Sequence, residues 1–119
     1  MDIKARFIIF HVDLQDGSFH CLFDDDENLP SLRVKDNCPP IQNGPDILEQ
    51  YLDIKPDWVT FYLVDVELDS DNTIYIYYTC IIPHVIKSKI GKWIEIGTID
   101  NEHIQKIVFQ AGQRAIVGV

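Results

Sequence analysis

The sequence predicts a single α+β domain, residues 1–119, in which a mixed β-sheet packs against two helices. Two observations support this fold class. β-Rich segments occur in pairs separated by turn-forming residues, and amphipathic helical segments lie between the pairs and near the C-terminal end. A length of 119 residues is short for two independent cores. Because 46% of the residues are apolar, the chain can build one core and is not expected to be disordered.

A β-hairpin is predicted at the N-terminal end. Residues 4–14 carry apolar side chains at both odd and even positions, which is typical of a strand covered on both faces. Asp16 and Gly17 form a two-residue turn signal, and residues 19–23 are expected to return as the second strand. The acidic residues 24–28 are predicted to form a loop, and residues 29–45, which are rich in proline, to be irregular.

A helix and a second hairpin are predicted next. Gly44, Pro45 and Asp46 begin the helix, because proline and an acidic residue both suit a first turn, and apolar residues at helical spacing continue it to Ile54. Residues 58–68 and 73–82 are expected to form an antiparallel hairpin that turns at residues 69–72.

A short strand and a second helix complete the predicted order. The strand covers residues 93–96, and Asp100 or Asn101 can cap the helix that follows. The apolar stripe of this helix is predicted to be Ile104, Ile107, Val108, Ala111 and Ala115.

The charge of the chain excludes several classes of function. Ten basic against 19 acidic residues give a formal net charge of −9, which disfavours direct binding to nucleic acid or to an anionic membrane. The sequence has no apolar run long enough to cross a membrane, and its N-terminal apolar stretch is too short for a signal peptide. We therefore expect a soluble, cytoplasmic protein. The acidity can serve solubility, a divalent metal or a basic protein partner.

Known catalytic motifs are largely absent. Residues 69–73 match the Asp-x-Asp-x-Thr pattern of aspartate-nucleophile phosphatases, but a β-rich segment resumes at once, which favours a turn. Residues 24–28 could offer oxygen ligands to Ca²⁺ or Mg²⁺, although a solvated loop is the simpler interpretation. The histidines lack metal-site spacing and are expected to be isolated surface or rim residues. These are His11, His20, His84 and His103.

The cysteines show no spacing typical of a metal site or a redox pair. Cys21 and Cys80 lie in apolar runs and are predicted to be small core residues, whereas Cys38 precedes two prolines and is expected in a loop.

The first helix carries the candidate metal ligands. Asp46, Glu49 and Asp53 fall at positions i, i+3 and i+7, so that all three carboxylates share one helix face, and Gln50 lies on the same side. Such a face can hold Mg²⁺ if neighbouring elements enclose it. On an amphipathic helix it is more often solvated, so we expect no cofactor and keep Mg²⁺ as the alternative.

The order of elements resembles the Nudix family. That family has an N-terminal hairpin, a loop that often reads Leu-Pro-Gly-Gly, a catalytic helix, further strands, and a C-terminal helix after a strand that often contains Trp. Here residues 29–32, Leu-Pro-Ser-Leu, stand at that loop, residues 46–54 at the helix, residues 59–82 at the following hairpin, and residues 92–96, with Trp93, at the late strand. The resemblance covers most of the chain through element order and hydrophobic pattern, and it implies a Nudix-like domain.

The resemblance also implies a degenerate Nudix box. The box reads Gly, five residues, Glu, seven residues, and then Arg-Glu-U-x-Glu-Glu-x-Gly-U, where U is apolar. Aligning its last apolar position with Ile54 puts Asp53 at the final glycine. The glutamate positions then carry Cys38, Ile47, Gln50 and Tyr51. Because divalent metals of this class need oxygen ligands, the resemblance implies a scaffold whose catalytic metal site is lost.

Three hypotheses follow. The preferred one is a non-catalytic Nudix-like binding module for a protein partner, including a basic one, or for a nucleotide-like ligand. Its candidate cleft residues are Asp46, Glu49, Gln50, Asp53, Trp58 and Trp93. The second is a divergent, metal-dependent hydrolase of nucleoside diphosphate derivatives, a Nudix-type pyrophosphohydrolase whose Mg²⁺ ligands would be Asp46, Glu49 and Asp53. The third is a small acidic adaptor or inhibitor subunit of another α+β fold.

Overall fold

A six-stranded mixed sheet organises the chain. The structure is a computed structural model, and it describes residues 2–13, 15–34, 39–54, 59–82 and 86–117. The strands are β1 (Asp2–Val12), β2 (Phe19–Phe23), β3 (Ser31–Arg33), β4 (Tyr62–Leu68), β5 (Thr73–Ile82) and β6 (Lys92–Glu95), and the helices are α1 (Asn43–Leu52) and α2 (Glu102–Val117). The strand order is β4-β5-β1-β2-β6, and β3 pairs with β1. Only the β1–β5 pair is parallel among these strands. The predicted α+β class is confirmed.

Strand β1 separates two apolar cores. Because successive side chains of a strand point to opposite faces, Ala5, Phe7 and Ile9 enter one core, and Ile8 and Phe10 enter the other. The face that carries the first set is called the α1 face, since α1 packs on it, and the opposite face is called the α2 face. All five side chains are fully buried, as the apolar pattern of residues 4–14 predicted.

Both predicted hairpins are present. His11 is the cross-strand partner of His20 in the first hairpin, which turns at residues 15–18. In the second hairpin the turn closes with hydrogen bonds from the Asp69 amide to the Thr73 carbonyl (2.8 Å) and from the Asn72 amide to the Asp69 carbonyl (3.1 Å). The Asp-x-Asp-x-Thr match is therefore a β-turn, as expected.

Strand β4 is shorter than predicted. It begins at Tyr62, and residues 59–61 are not part of the sheet, while residue 58 lies outside the described residues. Phe61 instead turns inward, where its ring packs edge-on against Phe7 with centroids 5.8 Å apart. The same ring lies over Gly44, so that a Cβ at that position would meet it at 2.6 Å. Phe61 thus packs into the core beside α1, and the sheet pairing of β4 begins only at Tyr62.

Two further elements differ from the sequence prediction. Residues 31–33, which were expected to be irregular, form β3, because Lys4 and Arg33 are partners at the part of β1 that β2 does not reach. Proline-rich surroundings hide such a three-residue strand from pattern analysis. Strand β6 covers residues 92–95 instead of 93–96, and Ile96–Thr98 forms a 3₁₀ turn.

Helix α1 ends earlier than predicted. It covers Asn43–Leu52, and Asp53 follows in the left-handed conformation with φ of 55°, which terminates the helix. Ile47, Leu48 and Leu52 are buried on the α1 face, as the helical spacing predicted. Asp53 has therefore left the helix, so the predicted three-carboxylate stripe is wrong at its third member.

Helix α2 closes the other core. The side-chain oxygen of Asn101 accepts a hydrogen bond from the Ile104 amide (3.1 Å), so Asn101 makes the predicted cap. The predicted stripe is confirmed: Ile107, Val108 and Ala111 are buried, and Ile104 and Ala115 pack against the same cluster. Neither described helix combines the length and hydropathy that a membrane crossing requires.

The two cysteines of the apolar runs are core residues, as predicted. Cys21 and Cys80 are both fully buried, and burial raises the pKa of each thiol well above its usual range. Cys38 lies outside the described residues.

We expect Leu48→Ala to destabilise the protein by about 2–5 kcal/mol, because Leu48 is fully buried between α1 and the sheet. Glu49→Ala is the matched control one residue along the same helix, where the exposed side chain should cost no more than about 0.5 kcal/mol. Urea denaturation followed by circular dichroism measures both. Equal losses for the two variants would contradict the register of α1.

We expect Gly91→Ala to destabilise more than Gly17→Ala, although both glycines have positive φ, 76° and 73°. The left-handed backbone alone should cost an alanine roughly 1–2 kcal/mol at either site. A Cβ at residue 91 would in addition collide with the Phe23 carbonyl oxygen, whereas a Cβ at residue 17 meets nothing within 4 Å. Because the backbone cost is common to both variants, the difference between their unfolding free energies measures the cost of the steric clash between residue 91 and β2. No difference would show that the segment does not pack there.

Candidate functional site

The candidate carboxylates of α1 do not converge in the structure. Glu49 and Gln50 are exposed, and Asp46 is half-buried in the first turn. Asp53, beyond the helix end, forms an ion pair with Lys89 in which Nζ and Oδ1 are 3.5 Å apart. Within the described ranges, no three His, Cys, Asp or Glu side chains lie close enough together to hold a metal ion.

The positions that the resemblance assigns to metal-binding glutamates are partly buried in the core. Ile47 is fully buried and Tyr51 is 7% exposed, and both belong to the apolar cluster of the α1 face. Burial, together with the nearby acidic residues Asp24 and Asp25, raises the pKa of Tyr51, so its phenol stays neutral at physiological pH. A hydrocarbon and a neutral phenol cannot replace two carboxylates, so these residues do not fit a Nudix-type Mg²⁺ site.

The end of α1 falls where the alignment with the Nudix box ends. The alignment places Asp53 at the final glycine of the box, and Asp53 has the left-handed φ of 55° that glycine adopts at helix ends. The Asp53 amide donates to the Glu49 carbonyl at 3.2 Å, which closes the last turn. Asp53 thus ends α1 in a conformation that favours glycine.

Trp93 is fixed beside α1. Its Nε1 donates a hydrogen bond to the Ile86 carbonyl (2.9 Å), and its ring meets His11 edge-on with centroids 5.9 Å apart. The Lys89 amide of the same segment donates to the Tyr51 carbonyl at 2.6 Å, which ties residues 86–91 to the end of α1. The other aromatic candidate, Trp58, lies outside the described residues.

His11 and His20 form a pair that the sequence analysis missed. The expectation of isolated histidines is wrong here, because the first hairpin places the two rings side by side with centroids 6.2 Å apart. His11 is only 7% exposed, and the Nδ1 atoms of both rings are buried without a hydrogen-bond partner in the structure. The sequence signal was offset: a two-residue turn at Asp16 and Gly17 would pair residue 11 with residue 22, whereas the observed register, centred between residues 15 and 16, pairs it with His20.

A cavity of about 520 Å³ lies on the α2 face. Its apolar lining includes Phe23, Ile94 and Ile104, and its rim carries acidic side chains from residues 26, 27 and 100. Lys92 reaches across to Glu27, with Nζ and Oε1 3.1 Å apart. The acidic 24–28 loop, expected to be solvated, borders this cavity.

A smaller cavity of about 300 Å³ surrounds Arg6 on the same face. The Arg6 guanidinium stacks on the Tyr75 ring at 3.8 Å and donates a hydrogen bond to the Tyr77 hydroxyl at 3.1 Å. Burial and the neighbouring Glu67 raise the pKa of Tyr77 to about 12. His103 of α2 lies 3.2 Å from Glu67, so this polar cluster joins α2 to β4.

Comparisons with known proteins give structural neighbours only. No protein-family model matches the chain, and no curated protein does. A mutT/nudix family protein from Listeria innocua matches with a TM-score of 0.72 at 12% identity, over 99% of this chain and 98% of that one. The NUDIX domain of Shewanella oneidensis NrtR, solved as a complex with ADP ribose, matches with a TM-score of 0.66 at 14% identity, over 94% and 86%.

A third neighbour is the C-terminal domain of mouse MUTYH, solved in a complex with human PCNA. It matches with a TM-score of 0.70 at 12% identity, over 95% of this chain and 88% of that one. Identities this low show the fold and nothing more. The hypothesis of another α+β fold is therefore wrong, and the chain has a Nudix-like fold, as the order of its elements indicated.

Proposed function

We propose that this chain is a non-catalytic binding module built on a Nudix-like fold. The observation that carries the proposal is the burial of Ile47 and Tyr51 in the apolar core, at the two helix positions where a Nudix enzyme needs carboxylates. Mg²⁺ keeps several waters and binds through carboxylates, so a site in which two ligand positions face a hydrophobic core cannot hold it. The exposed Glu49 is a carboxylate on the outer side of α1.

A protein partner is the preferred ligand. The formal net charge of −9 favours basic partners through charge complementarity. Several large apolar side chains are also exposed among the described residues, which is typical of a docking surface when they are contiguous. One structural neighbour, the mouse domain, was solved with a protein partner.

A nucleotide-like ligand is the second candidate. The rings of Trp93 and His20 lie half-buried on the α1 face around His11, and flat rings of this kind can stack on a base. Another structural neighbour, the Shewanella domain, was solved with ADP ribose. Asp46, Glu49, Gln50 and Asp53 would then border the ligand rather than bind a metal.

We expect no metal-dependent release of phosphate or nucleoside monophosphate from dinucleotides or nucleoside triphosphates at millimolar Mg²⁺ or Mn²⁺. The native chain, Glu49→Gln and Glu102→Gln are compared. Glu102 is the matched control, because it is also an exposed carboxylate in a helix but lies on α2.

Turnover by the native chain that is lost in Glu49→Gln and kept in Glu102→Gln would contradict the proposal and identify a divergent hydrolase. Turnover that survives both substitutions would indicate a contaminant or another site. The same samples serve for thermal denaturation with a nucleotide panel. A ligand at a hundred times its Kd should stabilise the chain by about 2.7 kcal/mol, and no nucleotide effect leaves the protein partner as the ligand class.

A further inference from the structure

Four exposed apolar side chains form one continuous surface on the α1 face. They are Ile3, Leu63, Val66 and Leu68, with exposed fractions of 38%, 49%, 54% and 68%. Strand pairing places them on one face. Ile3 and Leu68 flank Ile74 in one row, Val66 lies opposite Ile76 in the next row, and Leu63 lies opposite Tyr78 in the row beyond. These four residues are called the β4 surface. Contiguous apolar area of this kind marks an interaction site more often than scattered apolar residues do.

The β4 surface is exposed because of how the helices are placed. Helix α1 contacts β1 and β3, whereas α2 contacts β5, β4 and β1 from the opposite face. The described elements therefore leave the α1 side of β4 largely uncovered. A β-bulge between Leu63 and Asp65 enlarges this surface. Without the bulge, Leu63 and Val66 would point to opposite faces, because side chains alternate along a regular strand.

Strand β4 is also an open edge. It has a neighbour on one side only among the described strands. The Asp69 amide bonds to the Thr73 carbonyl of β5, so by the alternation of an antiparallel ladder the amides of Val66 and Leu68 point away from the sheet. The Val66 amide donates instead to Oδ1 of its neighbour Asp65, at 2.8 Å. This side chain protects an edge amide that another strand could use.

The charge of the edge selects the partner. Asp65 and Glu67 lie on β4 between the residues of the β4 surface and point toward the other face. A second copy of the chain at this edge would bring these carboxylates and two net charges of −9 together, which is unfavourable. A strand that alternates apolar residues with lysine or arginine meets the apolar side chains on one face and the carboxylates on the other.

We propose that the edge of β4 binds an extended basic segment of a partner protein by β-strand addition, at residues 65–68. The main chain of the segment pairs with the outward amide of Leu68 and displaces the Asp65 carboxylate from the Val66 amide, and its apolar side chains cover the β4 surface. Its basic side chains lie beside Asp65, which the segment releases from the Val66 amide, while Glu67 keeps its pairing with His103. This inference rests on the proposed binding-module function, and it names the surface and the chemistry of the partner.

The probe is a nine-residue, end-capped peptide in which valine or threonine alternates with lysine. Binding to the full chain is followed by titration calorimetry and by amide hydrogen exchange. We expect saturable binding, with slower exchange at Val66 and Leu68. We expect Val66→Lys and Leu68→Lys to weaken it at least tenfold, because each places a cation on the apolar surface. Phe109→Lys is the matched control, since Phe109 is 48% exposed but lies on α2.

Two further peptides separate the sources of affinity. A glutamate version of the probe and a version with alternate N-methylated amides should both fail to bind, the first through charge repulsion and the second through lost main-chain pairing. Circular dichroism and thermal denaturation confirm that each variant is folded, and Leu68→Thr provides a second, milder change at an exposed position.

The inference is overturned if the native chain does not bind the lysine peptide, or if Val66→Lys and Phe109→Lys bind it equally. It is also overturned if the native chain sediments as a dimer and the Val66→Lys variant sediments as a monomer, because a second copy of the chain would then occupy the β4 edge. The outcome is independent of the turnover assay. Metal-dependent turnover together with peptide binding at β4 would refute the non-catalytic function alone, whereas absence of both would refute this surface alone.

Discussion

The parallel pairing of β1 with β5 is the interaction on which the rest of the structure depends. It joins residues 2–11 to residues 73–82, and it is reinforced inside the sheet by the Thr79 hydroxyl, which donates to the Ile8 carbonyl at 2.8 Å. Because β1 is central, its odd-numbered residues build the core under α1 and its even-numbered residues build the core under α2. A polar substitution in β1 would damage one core, and a shift of one residue in its register would damage both.

This constraint decides what α1 can do. The helix is held by the core of the α1 face through Ile47, Leu48, Tyr51 and Leu52, so those positions are used for packing. In the Nudix box two of them would carry glutamates. A carboxylate in such a fully buried apolar position would need a charge partner or would become protonated. The inward-facing residues of α1 are therefore apolar because they fill the core of the α1 face.

Much of the fold could be predicted from the sequence, because periodicity reports burial directly. The two-sided pattern of β1, the turn after β4 and the stripe of α2 are local signals. Strand β3 could not be predicted, since three residues after a proline carry almost no pattern and are extended only because β1 offers a free partner. The early start predicted for β4 failed for a related reason: the ring of Phe61 packs against Phe7, and that tertiary contact outweighs β propensity.

The site was less predictable than the fold. The sequence placed Asp53 on a helix face, but the left-handed residue that ends α1 removed it, and helix ends are uncertain by one or two residues in any pattern analysis. The pairing of His11 with His20 was missed because the Asp16–Gly17 signal centres the turn one residue too far along the chain. The β4 surface could not be predicted, because it depends on a bulge and on the lack of a covering helix among the described elements, and neither has a signature in the residues themselves.

The separation of 71 residues between β1 and its parallel partner has a consequence for how the chain folds. Contacts this distant in sequence carry a large loop-closure entropy, and folding slows as such contacts dominate. During synthesis β1 leaves the ribosome long before β5 exists. Both faces of this apolar strand are covered in the folded protein, so until β5 arrives the strand is either exposed to solvent or paired temporarily with β2 and β3. The antiparallel partners therefore protect the central strand first, and the sheet is completed only when the second half of the chain arrives.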